Sequence, residues 1–429
     1  MIGGFDSARP SPPRARVLTE WAIVGVLTSL LTIWLSFGHA LQRPNGTVYD
    51  GLMRLRGGEP SERITVVAID NRSLEAIGRW PWPRHVHAEL IDRLAASDAR
   101  AVGYDVLFTE PTDEDAELTE AIRRAGMVYL PMAVDPLGDD GAPWCLIEPM
   151  PALAEAAAGL GHVNLTADED GVVRRLPYAV QTGDVIWPHL AVRLFTASGG
   201  PPPDASPVPM MGEAARGEPP LLAWRGPPGR FRTVSAIDLL RGEVLADALT
   251  DKLVLVGMTA DGQGDRYAGP TSVSGGLFPG VEIQAVLLDS LLSDTALRPM
   301  ARTVVAGLSL IAVWSLLAGF LVLRPGATLA LCLGLIATVF AVSVAAFFAA
   351  DVWVTPLPAV AGLALAYPLW SWRRLAAASA YMQTEIDAFL GSGGTLDVRA
   401  GATWSPDRWR PCGRRSPACA ISDVSSPTP

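Results

Sequence analysis

The sequence predicts a mixed α/β domain with a partly parallel sheet, carried by four transmembrane α-helices, one N-terminal and three C-terminal. Three observations point there. Four apolar runs, Val17–Phe37, Thr303–Leu323, Ala327–Ala350 and Val352–Trp372, are each long enough for a helix to cross a bilayer, which takes about 20 mostly apolar residues. Between the first and second lies a water-compatible stretch of ordinary domain size. Within that stretch, strand and helix patterns alternate, as in parallel sheets with right-handed crossovers.

Taken in order, residues 1–16 form an N-terminal segment with Arg9, Arg14 and Arg16 ahead of the first span at 17–37. That span is too long in its apolar core for a signal peptide, and Phe37-Gly38-His39-Ala40 is a poor cleavage site, so it reads as a retained anchor. The domain occupies 38–300 and the later spans 303–323, 327–350 and 352–372. Arg324 lies in the link between the second and third spans, and Arg373 and Arg374 follow the fourth. Basic residues stay cytoplasmic, so both ends face the cytoplasm and the domain faces out; Arg298 and Arg302, on the outer side, run against the rule. A juxtamembrane helix at 373–390 and a tail at 391–429, rich in Gly, Ser, Pro and Arg, complete the chain.

Inside the domain, Ile64–Asp70 is a near-continuous apolar run, the mark of a strand buried on both faces. Leu90, Ile91, Leu94 and Ala95 place a helix over Arg84–Ser97. Ala101–Phe108 is the next strand, Asp115–Ala125 a second helix and Met127–Val134 a third strand. Asp170-Gly171 then reads as a hairpin turn between Gly161–Leu165 and Gly171–Val180, with Arg174 and Arg175 on a solvated face or a dimer contact. A helix over Pro188–Ala197 is expected to carry Pro in its first turn. Gly199–Pro219 reads as a loop, and Leu221–Trp224 and Phe231–Val234 as strands around Gly226–Gly229. Ser235-Ala-Ile-Asp238 has capping-box spacing. Lys252–Gly257 is another buried strand, a loop spans Met258–Ser274, and a helix starts at Pro279.

The net charge of −10 leaves no basic face for nucleic acid. Of Cys145, Cys332, Cys412 and Cys419, only Cys145 lies in the domain, so no disulfide forms within it, and the tail pair lacks zinc-site spacing. The spans contain no buried ionisable residue, which disfavours ion or proton transport. No nucleophile–base set is assembled by His85, His87, His162 or His189.

Ala68-Ile-Asp70, Ile77-Gly-Arg-Trp-Pro-Trp-Pro-Arg84, Gly103–Phe108, Asp170–Arg174, Val254–Gly257 and Pro279–Ile283 occur in this order. Together they closely resemble the type-two CHASE domain, an extracellular sensory module of cyclases and histidine kinases, over roughly residues 40–295; the three later spans are similar to that family's arrangement. The resemblance implies a periplasmic sensor domain, a bacterial inner-membrane location and a cytoplasmic output domain. The family often has His where this chain has Gln284, so a metal ligand there is not implied. Arg373–Leu390 resembles the juxtamembrane helix of CHASE-linked histidine kinases. No kinase or cyclase signature follows it. The expectation is a chain lacking its output domain, its tail either a frameshifted remnant or a natural disordered end.

The candidate ligand-binding residues are Asp70, Trp80, Trp82, Arg84, Asp105 and Asp265. Asp70 and Asp105 fall at the carboxyl ends of expected parallel strands, where open α/β sheets bind ligands. With Asp113, Asp115 and Asp265 they converge on a cation, or else they simply cap turns and helices. Trp80-Pro-Trp-Pro-Arg84 holds a planar or anionic ligand, or wedges strand against helix. His85 and His87, two apart on a helix, diverge. No catalytic residue, metal or cofactor is expected. The favoured reading is a non-enzymatic membrane sensor of a small-molecule or other periplasmic signal, acting as a homodimer or with a partner signalling protein. The alternatives are a membrane-tethered metal-dependent hydrolase using Asp70 and Asp105, and a membrane scaffold.

Overall fold

A computed structural model describes residues 14–135, 145–182, 184–203, 208–209, 219–272 and 276–391. The tail from 392 and most of the expected loop at 199–219 lie outside these. In chain order the elements are α1 (Arg14–Phe37), α2 (Gln42–Arg56), β1 (Ile64–Ile69), α3 (Asn71–Ile77), α4 (Arg84–Ala96), β2 (Ala101–Tyr104), α5 (Asp115–Ala125), β3 (Val128–Asp135), β4 (Cys145–Ile147), α6 (Pro151–Ala156), β5 (Gly159–His162), β6 (Ala179–Thr182), β7 (Val185–Pro188), α7 (Leu190–Ala197), β8 (Val208–Pro209), β9 (Arg232–Ser235), α8 (Ala236–Leu240), β10 (Leu253–Met258), β11 (Arg266–Tyr267), β12 (Phe278–Pro279), α9 (Gly280–Leu292), β13 (Arg298–Pro299), α10 (Arg302–Val322), α11 (Pro325–Ala349), β14 (Val352–Trp353) and α12 (Leu357–Gly391).

The main sheet has the order β4-β3-β2-β10-β1-β9, with β5 also on β3. Every pair is parallel except β3·β4. The mixed, partly parallel sheet read from the sequence is therefore present. Its centre is β10, a late strand inserted between β1 and β2. All six β1 residues are buried, and strand alternation splits them between two cores. Ile64, Val66, Leu253 and Leu255 face the layer that holds α2, α7 and α9. Val67, Ile69, Val102, Tyr104, Val254 and Val256 face the layer of α3–α6 and α8.

Several local expectations are corrected. Asp170-Gly171 turns the chain without making a hairpin: β5 goes to β3, and Val172 bridges Ala268 instead. The hairpin forms one step later, between β6 and β7. Pro188 closes β7 and lies outside the helix, whose N-cap is His189, accepting from the Ala191 amide through Nδ1 at 3.1 Å. Leu221 makes only isolated bridges, and β9 pairs in parallel with β1, not across the Gly226–Gly229 turn. Ser235 is the N-cap of α8, but its side chain makes no capping bond. The helix α2 is not among the elements expected from the sequence; Tyr49, Leu52 and Met53 are its buried apolar contacts.

Among the described residues, three helices are long and apolar enough to cross a membrane: Val17–Phe37, Arg302–Val322 and Pro325–Ala349. The fourth expected span begins differently. Val352 and Trp353 form β14, parallel to β13, and the helix starts only at Leu357. Ala312, Val313, Leu316, Leu317 and Phe320 of α10 pack with Cys332 of α11 and with Leu363, Ala366 and Trp370 of α12, and Val17, Trp21 and Val24 of α1 join them. Trp21 donates Nε1–H to the Leu317 carbonyl at 2.8 Å. The outer faces of these helices carry exposed apolar side chains such as Ile23, Leu27, Leu30, Ile311 and Leu333, as expected of helices solvated by acyl chains. The chain divides into two units, Met1–Trp372 and Arg373–Pro429; in the second, residues 373–391 are helical, with Leu375, Met382 and Ile386 exposed.

Candidate functional site

The carboxyl ends of β1, β10 and β2 open at one edge of the sheet, and the predicted acids separate there. Asp70 ends β1 and is the N-cap of α3. One oxygen, Oδ1, accepts from the Ser73 amide (2.8 Å), the Ser73 hydroxyl (2.7 Å) and the Ser235 hydroxyl (2.9 Å). This is the capping role, fully equipped with donors. Asp105 follows β2 on the far side of β10, about 10 Å away by strand spacing. The two do not converge on one ion. Asp113 and Asp115 lie elsewhere, Asp115 in an ion pair with Arg84 at 3.0 Å.

The Trp-Pro-Trp-Pro-Arg run packs between the first strand and its helix. Trp82 is buried and donates Nε1–H to the Gly78 carbonyl at 3.1 Å. Trp80 meets it edge-on, and both rings pack on His87. Buried His87 in turn bonds the Tyr104 hydroxyl at 2.7 Å, and desolvation lowers its pKa to about 3. Arg84 lies over the Phe108 ring and donates to the Glu110 carbonyl. His85 points away, to Glu114. Of this run, Trp80 lines an open cleft, shared with Asn71, Leu74, Glu75, Arg79 and Gln263.

Asp105 and Asp265 do come together, with a residue that the sequence offered only as a departure from a pattern. The Asp105 amide donates to the Val256 carbonyl at 2.7 Å, pinning the end of β2 to β10. The β11·β12 pairing folds Asp265 back to the start of α9, where the Gly280 amide donates to the Asp265 carbonyl. One turn into α9, Gln284 donates Nε2–H to Asp105 Oδ2 at 2.7 Å. Tyr267 donates its hydroxyl to Asp265 at 3.3 Å. Close packing of α9 on β10 requires Gly257, since a Cβ there would stand 2.6 Å from Val281 Cβ. Burial, against the Gln284 hydrogen bond and with the nearby Asp265 charge, pushes the Asp105 pKa up to about 6. Burial and Asp265 likewise push Tyr267 up to about 12.

Arg174 is corrected outright: it is buried, and three carboxylates surround it. It donates to Asp50 through Nε and Nη2 (both 2.8 Å), to Asp168 through Nη1 (2.8 Å) and to Asp170 through Nη2 (2.7 Å). Burial opposes its charge, but the hydrogen bonds to Asp50, Asp170 and Asp168 more than offset this and raise its pKa. The cluster ties α2 to the 168–174 turn.

A second feature lies where the domain meets the membrane helices. The Arg298 amide donates to the Asp351 carbonyl and the Met300 amide to Trp353, the β13·β14 strap. Arg56 of α2 is ion-paired with Asp351. Tyr49 of α2 sits edge-on between Phe347 and Trp353, with centroids 5.9 and 5.5 Å away. The Leu357 amide donates to Asn45. A cleft of about 210 Å³, bordered by Arg43, Asn45, Tyr49, Arg302, Trp353 and Pro358, lies in this joint.

Among the described residues, no group of three or more His, Cys, Asp or Glu side chains is placed to hold a metal ion. In comparisons with known proteins, the family model of the CHASE2 domain matches residues 24–322. No curated protein and no solved structure matches the chain.

Proposed function

We propose, since the chain belongs to the CHASE2-domain family, that it is a membrane-anchored signal-input protein of a bacterium. Its α/β domain faces the periplasm from the inner membrane, recognises a small molecule at the Asp105–Asp265–Gln284 edge, and passes the event to its membrane helices. α12 makes the fourth crossing through its apolar stretch from Leu357 to Trp372. The protein works in pairs or with a partner signalling protein, and it does no chemistry itself. CHASE2 is a sensory domain of signalling proteins, which supports the sensory role.

The observation that carries the relay is the strap. The α11–α12 connection is a strand paired with the exit strand of the domain, and Arg56 and Tyr49 of α2 grip it. A rigid connection of this kind lets binding energy bias a two-state arrangement of helices.

Placement is tested with the native thiol of exposed Cys145. A membrane-impermeant maleimide should label it in cells with an opened outer envelope and an intact inner membrane. Labelling that requires inner-membrane lysis would put the domain in the cytoplasm and end this reading.

A further inference from the structure

Most acids held inside or against this domain have a protein partner, and buried Glu282, without an arginine, accepts from the Gly229 amide. Asp50, Asp168 and Asp170 share Arg174, Asp289 has Arg225, and Asp115 has Arg84. Asp70, without an arginine, has three protein donors instead. Asp105 departs from this pattern. Among the described residues it makes no ion pair, its side chain receives one hydrogen bond, at Oδ2 from Gln284, and the charge beside it is another carboxylate, Asp265. Among the same residues the side chain of Asp265, an exposed residue, has no ion pair either and receives only the long Tyr267 contact at Oδ2.

Gln284 adds an independent sign. It is 2% exposed, and its Oε1 is buried with no hydrogen-bond partner. A buried amide oxygen without a donor is costly and rare in native proteins. Reversing the amide would bring Oε1 against the Asp105 carboxylate and remove the one hydrogen bond that carboxylate receives. The site is therefore short of donors and of positive charge in either arrangement. In this group Oδ1 of Asp105, Oδ1 of Asp265 and Oε1 of Gln284 receive no hydrogen bond from the described residues.

We propose that this edge binds the primary ammonium group of a small organic amine. An alkylammonium carries three N–H donors and one positive charge, which answers the undonated carboxylate oxygens and the uncompensated negative charge of Asp105 and Asp265. A metal ion fits less well, because the Gln284 NH2 group, directed at Asp105, presents protons where a metal would need electron pairs. The proposal rests on the sensory reading above and adds the class of ligand.

The test uses the full chain in lipid nanodiscs, at constant ionic strength, titrated with n-butylammonium. Thermal denaturation and calorimetry should show saturable binding with Kd of about 1 mM or tighter. Tetramethylammonium, which has the charge but no N–H, should give no saturable response, and neither should calcium or magnesium chloride. Asp105→Asn should weaken butylammonium at least about tenfold, the loss of one charge-assisted hydrogen bond. Gln284→Lys supplies the ammonium from within; it should raise Tm and abolish the response. Equal responses to butylammonium and tetramethylammonium, a stronger response to either metal, no saturable response to butylammonium, or full binding by Asp105→Asn would each overturn the proposal. None of those results touches the sensory reading, which fails on the Cys145 labelling instead.

Discussion

Gln284 donates to Asp105 across 2.7 Å, joining the end of β2 to the second turn of α9 over the edge of β10. This contact leaves a half-buried carboxyl whose pKa rises from 3.8 to about 6, first through burial and then through Asp265. The sign follows from proton linkage. The folded chain holds this proton more tightly than the unfolded chain, so the contribution is favourable below pH 3.8 and is lost as pH rises to about 6. Asp105→Asn removes the penalty. The variant should match the wild type near pH 3.5 and exceed it by about 1–3 kcal/mol at pH 8, measured as the difference between paired denaturation curves. A difference that does not change with pH would refute the assignment.

Arg174 is the one cation that bonds all three of Asp50, Asp168 and Asp170 among the described residues. Arg174→Met keeps the volume and leaves three carboxylates facing one another. Loss of one partner from a buried ionic group costs about 3–5 kcal/mol, and chemical denaturation should show at least that. A near-neutral result would mean that the acids take up protons or water without cost, and that the cluster does not hold α2 in place.

Tyr49 supplies a different test, of the joint with the membrane helices. It is 1% exposed, donates its hydroxyl to the Leu222 carbonyl at 3.1 Å, and packs between Phe347 and Trp353. Tyr49→Phe should cost about 1 kcal/mol, one buried hydrogen bond. Tyr49→Ala should cost about 3–5 kcal/mol and should make the Asp351–Leu357 connection more accessible to protease. Cleavage there at the wild-type rate would show that the aromatic contact does not hold the strap.

Gly257 tests how closely α9 must approach the sheet. With Val281 Cβ only 2.6 Å from an added methyl group, Gly257→Ala should cost about 1–3 kcal/mol through overpacking. Adding Val281→Ala should recover part of that loss, because the two sites share one contact. Failure of the double variant to recover would place the strain somewhere other than this contact.

These tests fall on features of unequal legibility. The strands β1, β2 and β10 were readable because a short apolar run with no polar face has few homes outside a buried parallel sheet. The helices α4 and α5 were readable from their 3.6-residue spacing. Arg174 was not. Its charge reads locally as a solvated residue, and its partner Asp50 is 124 positions away. The Asp170-Gly171 turn has the right residues for a hairpin, but pairing is decided by Ala268 and by β3, which the local pattern does not contain. Val352 and Trp353 read as membrane span by composition, and only their partners Arg298 and Pro299 make them a strand. Of the candidate site, Asp105 and Asp265 were legible as acids near strand ends. Asp70 carried the same signal and proved to be a cap, since serines at 73 and 235 supply its donors. Gln284 gave only an indirect signal, because its amide gains meaning from the carboxylate set opposite it by the fold.

The most direct test of the account is hydrogen–deuterium exchange on the full chain in nanodiscs, with and without saturating n-butylammonium, read at the amides of Arg298–Met300 and Asp351–Leu357. The account predicts that ligand at Asp105 changes exchange in this strap, and that Arg56→Gln or Asp105→Asn removes the change. Ligand-dependent exchange confined to the edge at Asp105, Asp265 and Gln284, with the strap unmoved, would contradict it.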